Sequence, residues 1–399
     1  MSIEPPAFPE QPVEPSLSSQ KPVFDGSGAA FFRIWIVNLF LTIVTLGIYI
    51  PWAKVRTRRY FYHATRLNGR AFDYTASPLK LLLGYVIVAV ALISFSLAEF
   101  IAIWVPIVLY LIFVCVFPWV RWKSLRFFAA NSTYRHLAMH FRGTKSGAYI
   151  SYLGMPLLAV ATLGLLAPWA LFKARAYVYG NMRYGDAVSE FRGRVGYFYK
   201  ACIFPFLGLI LLIFLLGTVP IIAGSLMSMG ESGQDRTETE PVSEVAEAAE
   251  PAVEEEDDFD PKAFEAMLEN LPRSAMVMIF FGVAAIYFFM LITFIVIRVL
   301  LLNYCWSETH FKTSAGDVSF RSRIHPARYI WILASNVLLT ALTLGIFIPF
   351  AMVRIHRYRL ECLDVIGSER LDSVRGLAPE EVGALGESAS DWLDIDFGL

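Results

Sequence analysis

The sequence predicts a polytopic α-helical membrane protein with internal repeats, and three observations point there. Of its 399 residues 56% are hydrophobic and only 17% charged, with a mean hydropathy of +0.53, far more apolar than a water-soluble domain. From Leu81 to Val120 the chain is apolar for forty residues, broken only by Glu99, about twice the ~20 residues a helix needs to cross a bilayer. The third observation is a phrase used three times: TLGIYIPWA at Thr45 to Ala53, TLGLLAPWA at Thr162 to Ala170, and TLGIFIPFA at Thr343 to Ala351.

In each copy an apolar run reaches Thr-Leu-Gly, three residues pass, and a proline opens a basic, aromatic segment. Glycine suits the residue just past a helix C-terminus and proline the first turn of a new helix, so the phrase reads as helix, break, helix. The markers are Thr45, Gly47 and Pro51, then Thr162, Gly164 and Pro168, then Thr343, Gly345 and Pro349. The same context in all three copies is an internal-repeat signal.

Taken in order, residues 1–23 form an acidic, proline-rich tail without the basic stretch and cleavage site of a signal peptide, expected to be disordered. Residues 24–77 hold the first TLG unit and a hairpin signal at Asn68-Gly69. Residues 78–146 are read as a transmembrane pair turning at Glu99, then a basic loop. Residues 147–198 hold the second unit and a hairpin at Tyr184-Gly185-Asp186. Residues 199–325 give a second pair around an acidic insert, 228–272, and a hairpin candidate at Ala315-Gly316-Asp317. Residues 326–372 are the third unit, and 373–399 an acidic tail.

Charge decides the expected topology. Residues 231–270 carry fifteen Asp and Glu against Arg236 and Lys262, a local charge of −13 that leaves +12 for the rest of the chain. That positive remainder lies in short loops beside apolar runs, which marks a cytoplasmic face, with the acidic insert periplasmic. If every apolar run crossed there would be seven spans, and equivalent basic loops would fall on opposite sides. If each TLG unit instead re-enters or lies in the interface, four full spans suffice and all basic loops, with their small β-hairpins, face the cytoplasm. The backbone freed at a re-entrant break needs partners, and Asn38, Asn336, Thr42, Thr45 and Thr340 are placed to supply them. The second copy has Met155-Pro156 where the others have asparagine.

Chemistry is sparse. The six histidines lack companions at metal-ligand spacing, and no HExxH, GxSxG, phosphate loop or GxGxxG occurs. The reading is therefore non-enzymatic, with no cofactor, no metal and no nucleic-acid partner. The segments after each phrase are the candidate headgroup contacts: Trp52, Lys54, Arg56, Arg58 and Arg59; Trp169, Lys173 and Arg175; Arg354 and Arg357. Lysine and arginine at a membrane surface attract anionic headgroups, and tryptophan prefers the interface. Ordinary anchoring accounts for the same pattern. The tail's alternation of apolar and acidic residues from Trp392 to Phe397 offers a docking segment for a protein partner or a second copy.

The chain resembles the YjgN family of bacterial inner-membrane proteins, a domain of unknown function. The likeness rests on Phe24-Asp25-Gly26, on Asn38 with Thr45-Leu46-Gly47-Ile48-Tyr49 and Pro51-Trp52-Ala53, on Arg59-Tyr60, and on Asn68-Gly69-Arg70-Ala71-Phe72-Asp73-Tyr74. It runs from Phe24 to about Asp372, less the acidic insert. It implies an inner-membrane location and supplies no catalytic residues. The expected role is structural or lipid-interacting; the alternative is a transporter or channel for a small solute or lipid, its path lined by the repeats.

Overall fold

A computed structural model describes residues 18–98, 104–231 and 273–376. The terminal tails, the turn expected at Glu99 and most of the acidic insert lie outside the described residues.

One pattern repeats along the chain, two helices and then strands. Helix α1 (Gly28–Val44) starts where the Ser27 hydroxyl accepts the Ala30 N–H, satisfying one of the orphan donors of a helix start. Helix α2 (Ile50–Ala64) opens with Pro51 in its first turn. Strands β3 (Thr65–Leu67) and β4 (Arg70–Tyr74) follow, joined by Asn68 and Gly69 at φ 50° and 73°, the positive pair a two-residue hairpin turn requires. Next come α3 (Pro78–Ala98), α4 (Trp104–Asn131), β5 (Ser132–Tyr134) and β6 (Leu137–Phe141). The third group has α5 (Lys145–Tyr149), a π-helical turn (Ile150–Gly154), α6 (Met155–Ala161), α7 (Ala167–Tyr179), β7 (Met182–Tyr184) and β8 (Ala187–Phe191). The fourth has α8 (Val195–Glu231), α9 (Arg273–Ser307), β9 (Thr309–Thr313) and β10 (Gly316–Ser322). The last has α10 (Pro326–Leu342), α11 (Ile348–Glu361) and β11 (Leu363–Ile366); β1 (Ser19–Gln20) and β2 (Val23–Phe24) precede α1.

The expected polytopic α-helical fold with small cytoplasmic β-hairpins is overturned here. The strands pair into one eleven-stranded antiparallel sheet, in the order β1-β11-β10-β9-β8-β7-β6-β5-β4-β3-β2. An isolated hairpin leaves a row of unpaired N–H and C=O groups on each outer edge, and here the neighbouring hairpin fills it. Phe72 faces Tyr134, Phe141 faces Met182, and Phe191 faces Thr309 across those joints. The end strands β1 and β2 are separated only by Lys21 and Pro22, a reach of about 10 Å, so the sheet curls until its two edges come together. The proline, with no N–H to donate, sits where the ladder breaks.

The concave interior is filled by Leu67, Tyr134, Tyr184, Ala187, Val318 and Val365, against which Leu371 and Val374 pack from the segment after β11. That segment, with a 3₁₀ turn at Ser368–Ser373, is strapped to all four hairpin tips. Asn68 donates to the Ser368 carbonyl, Arg135 to the Leu371 carbonyl, Arg370 to the Asp317 carbonyl, and the Arg375 N–H to Asp186.

Each helix pair leaves the sheet and returns to it. The N–H of Asp25, Thr75, Arg142, Arg192 and Arg323, each just after a strand, donates to the carbonyl of Ala64, Asn131, Asn181, Glu308 and Cys362, each at the end of the pair that follows. In the three TLG pairs the closing carbonyl comes 39 residues later every time.

By compactness the chain divides into two units, residues 1–202 with 295–399, which holds the sheet, and residues 203–294. Within the second unit a Cβ on Gly208 would lie 3.1 Å from the Phe289 ring, so its two helices approach closely there. Among the described residues three stretches, not four, are long and apolar enough to cross a bilayer: Trp104–Asn131, Val195–Phe214 and Phe280–Ser307. Helices α1 and α10, 17 residues each, are ~25 Å long against a hydrocarbon core of ~30 Å.

Candidate functional site

The three TLG turns share one geometry. At each, leucine and then glycine take positive φ: Leu46 49° and Gly47 92°, Leu163 51° and Gly164 87°, Leu344 49° and Gly345 92°. The glycine N–H reaches back to the carbonyl of Thr42, Ala159 or Thr340, the six-to-one bond of a Schellman cap. The left-handed residue next to the helix is therefore leucine, with glycine one position later, the reverse of the expectation that glycine would stand first. A left-handed leucine costs about 1–2 kcal/mol. The threonine satisfies both helices at once. Its hydroxyl donates to Leu41, Leu158 or Leu339, and accepts the N–H of Tyr49, Leu166 or Phe347.

What this holds out is apolar. Leu46, Leu163 and Leu344 are 94%, 98% and 94% exposed, flanked by exposed Ile43, Val44 and Ile48 in the first unit, Val160 and Leu165 in the second, and Leu342 and Ile346 in the third. At the base of each pair a tyrosine ties the two helices together. Tyr60, Tyr177 and Tyr358 donate to the carbonyls of Ser27, Thr144 and His325, each 33 residues earlier. Burial pushes the Tyr60 hydroxyl's pKa up, partly offset by that bond to Ser27.

Between base and tip the units differ. The Asn38 amide donates to the Ala53 carbonyl at 3.3 Å and that of Asn336 to the Ala351 carbonyl at 3.4 Å. In the second unit Met155 occupies that level, buried against Ala159 and Ala170, so an apolar contact replaces the polar one. Arg354 completes the third unit by donating to Ser335 and to the Asn336 oxygen. The corresponding oxygen of Asn38 is buried without a partner.

The sequence-predicted contacts separate into two kinds. Arg58 is a brace: it donates to the Tyr74 hydroxyl and lies over the Phe128 ring of α4. Trp52 stacks on Tyr49 at the turn, and Lys54 is half-buried. Arg56 and Arg59 line a groove of about 500 Å³ between α1 and α2, with Arg66, His63 and Asp25. Arg354 and Arg357 line another, of about 630 Å³, where α1 meets α10 and α11. Ser27 belongs to both, so the start of α1 is flanked by basic grooves. Trp169, Lys173 and Arg175 line neither; Trp169 packs beside Met155. The sequence reading missed Arg328, Trp331 and Glu361 of the second groove. The i, i+3, i+7 spacing of Arg354, Arg357 and Glu361 was a signal for one wall, but the wall of α10 requires the fold.

Where the sheet closes, His356 of α11 sits edge-on to Phe24 and Phe61, both at 4.9 Å, with Thr65 at 3.1 Å. Burial, and after it the charge of Arg359, holds its pKa down at about 4.

Residues 19–392 match the family described as bacterial protein of unknown function (DUF898). The chain belongs to this family. Among relatives, the inner membrane protein YjgN of Salmonella typhimurium is 31% identical over 142 residues, 35% of this chain and 36% of that protein. The inner membrane protein YjgN of Escherichia coli is 46% identical over 61 residues, 15% of each chain. The matched stretches thus cover about a third or less of these relatives. No solved structure matches this member of the family.

Proposed function

We propose that this DUF898 protein is a multi-pass inner-membrane protein whose curled sheet lies on the cytoplasmic face and whose three TLG pairs push apolar tips into the bilayer from that face without crossing it. Its activity is structural or lipid-organising, and its first ligands are phospholipids. One observation carries the reading: each TLG pair is tied back to the sheet at its base, as Asp25 is to Ala64, while a leucine more than nine-tenths exposed stands at its apex. A strained backbone that holds a large apolar side chain away from all protein is accounted for by a nonpolar solvent at that point.

Further support comes from length and charge. A pair of ~25 Å helices does not span the ~30 Å core, and the arginines of α2 and α11 begin within two turns of the tip, where they can extend toward headgroups. The relatives are named inner membrane proteins, which supports the inner-membrane location. The test is depth. A fluorophore attached to Leu46→Cys, Leu163→Cys or Leu344→Cys, with the native cysteines replaced, is quenched by nitroxides in the acyl region of reconstituted vesicles. Quenching by an aqueous agent instead, at all three tips, overturns the proposal.

A further inference from the structure

The groove where the first TLG unit meets the third has a composition that goes past general membrane attachment. Three arginines open into it, Arg328, Arg354 and Arg357, against one carboxylate, Glu361. All three are held in place by neutral groups. Arg328 lies 5.2 Å from the centre of the Tyr358 ring, Arg354 donates to the Ser335 hydroxyl and the Asn336 oxygen, and Arg357 donates to the Gly26 carbonyl at 2.8 Å. These bonds orient the guanidinium groups without neutralising them, and each guanidinium carries five N–H donors. The charge of the groove is left for something from outside.

The groove is also graded. Along α11 the lining runs from Phe350 and Val353 near the turn to Arg357 and Glu361 near the sheet, a distance of about 16 Å. On α10, Arg328 stands nearest the sheet, and Trp331, 69% exposed, one turn nearer the tip. Beyond the apolar end lie the exposed Val337, Leu338 and Leu344. A free anion has no use for that end, whereas a phosphodiester joined to an acyl chain matches both.

We propose that this groove binds a single anionic phospholipid, its headgroup phosphate among Arg328, Arg354 and Arg357 and an acyl chain along Phe350 and Trp331 toward the tip of the third unit. The site rests on the reading that the TLG tips enter the membrane. The first unit keeps Arg56 and Arg59 at the places of Arg354 and Arg357 but has Ala30 at the place of Arg328, so the three-arginine set belongs to the third unit. The second unit has Ala176 at the place of Arg357, eight residues after its proline, so the same groove cannot form there. The lipid would bridge the first and last helix pairs where α1 packs on α11, joining the ends of the chain as Lys21 and Pro22 join the ends of the sheet.

The test uses the full chain, extracted in mild detergent and titrated with phosphatidylglycerol or phosphatidylcholine, with bound lipid counted by native mass spectrometry. The wild type retains one phosphatidylglycerol in preference to phosphatidylcholine. The triple variant R328A/R354A/R357A binds it about tenfold more weakly or worse, as expected from removing cations at a membrane surface. E361Q, which removes the opposing charge, binds it several-fold more tightly, an outcome that misfolding does not produce. Inorganic phosphate at millimolar concentration fails to displace the lipid; displacement by phosphate would show a plain anion site and overturn the proposal. Unchanged lipid retention in both variants, with the protein still resistant to carbonate extraction from membranes, would overturn the groove and leave the membrane reading standing. Wild-type protein released by carbonate would remove both.

Discussion

The first and third TLG units and the second solve the same problem with different interiors. All three share the left-handed leucine, the threonine clamp and the tyrosine tie at the base. Only the first and third use an asparagine to bond the returning helix, while the second buries Met155 and enters its first helix through a π-helical turn at Ile150–Gly154. What is common is therefore what the tip requires. What differs is local packing, and in the third unit it has been joined to an arginine that opens into a groove.

The largest effect is expected at the common element. Aspartate at Leu46, Leu163 and Leu344 together places three charges where the account puts acyl chains, at about 2.5–3.5 kcal/mol each in mid-bilayer and less nearer the surface. Depth quenching at Val160, labelled in that background, falls toward the aqueous value. If one unit alone accounts for the loss, the three tips are not equivalent and the comparison fails.

The next effect is at the seam that closes the sheet. His356 is neutral in the folded chain, its pKa about 4 against 6.5 for the free side chain. Its contribution to stability is therefore present above pH 6.5 and is lost as pH falls from there toward 4, by at most about 3 kcal/mol. Thermal unfolding followed between pH 7 and 4 should steepen in this window, and His356→Phe should flatten it.

Smaller effects sharpen the contrast between units. Asn336→Met removes the amide's bond to the Ala351 carbonyl, which keeps its helical partner, and withdraws the Asn336 oxygen from Arg354, costing about 1–3 kcal/mol. Asn38→Met costs about 1 kcal/mol or less, because the Asn38 oxygen already lacks a partner and the second unit accepts methionine at that level. Equal losses of melting temperature in the two variants would show that Arg354 adds nothing. Smallest is Tyr177→Phe, which removes the one bond to the Thr144 carbonyl at about 1 kcal/mol, while Tyr60→Phe removes both the bond accepted from the Ser27 N–H and the one donated to its carbonyl and lowers the melting temperature more.

Local features were legible in the sequence because local chemistry fixes them. Asn68-Gly69 announced its hairpin turn, the TLG-to-proline spacing announced helix, break, helix, and Thr45 bonds the Tyr49 N–H freed at the break, whereas Asn38 and Asn336 reach carbonyls inside the returning helix and not freed groups. The sheet was not legible, because its decisive pairings join residues as far apart as Phe72 and Tyr134 or Phe191 and Thr309, and no short-range pattern reports an edge being covered. The turn at Arg135 and His136, both at positive φ, lacks the glycine that would have marked it. The left-handed leucine was hidden for a different reason: glycine beside it looked like the residue that needed the conformation. Of the candidate site, the basic residues of α2 and α11 were visible, but which of them brace the fold, as Arg58 does, and which face a groove depends on α4 and α10 standing next to them.

The central claim is that a TLG unit returns to the side it left. It is tested most directly across the second unit, with Cys115, Cys202, Cys305 and Cys362 replaced and single cysteines introduced at Ser146, before the unit, and at Val188, after it, both exposed. An impermeant maleimide applied to oriented inner-membrane vesicles should label both positions from the cytoplasmic face and neither from the periplasmic face. Labelling of the two positions from opposite faces would contradict the account.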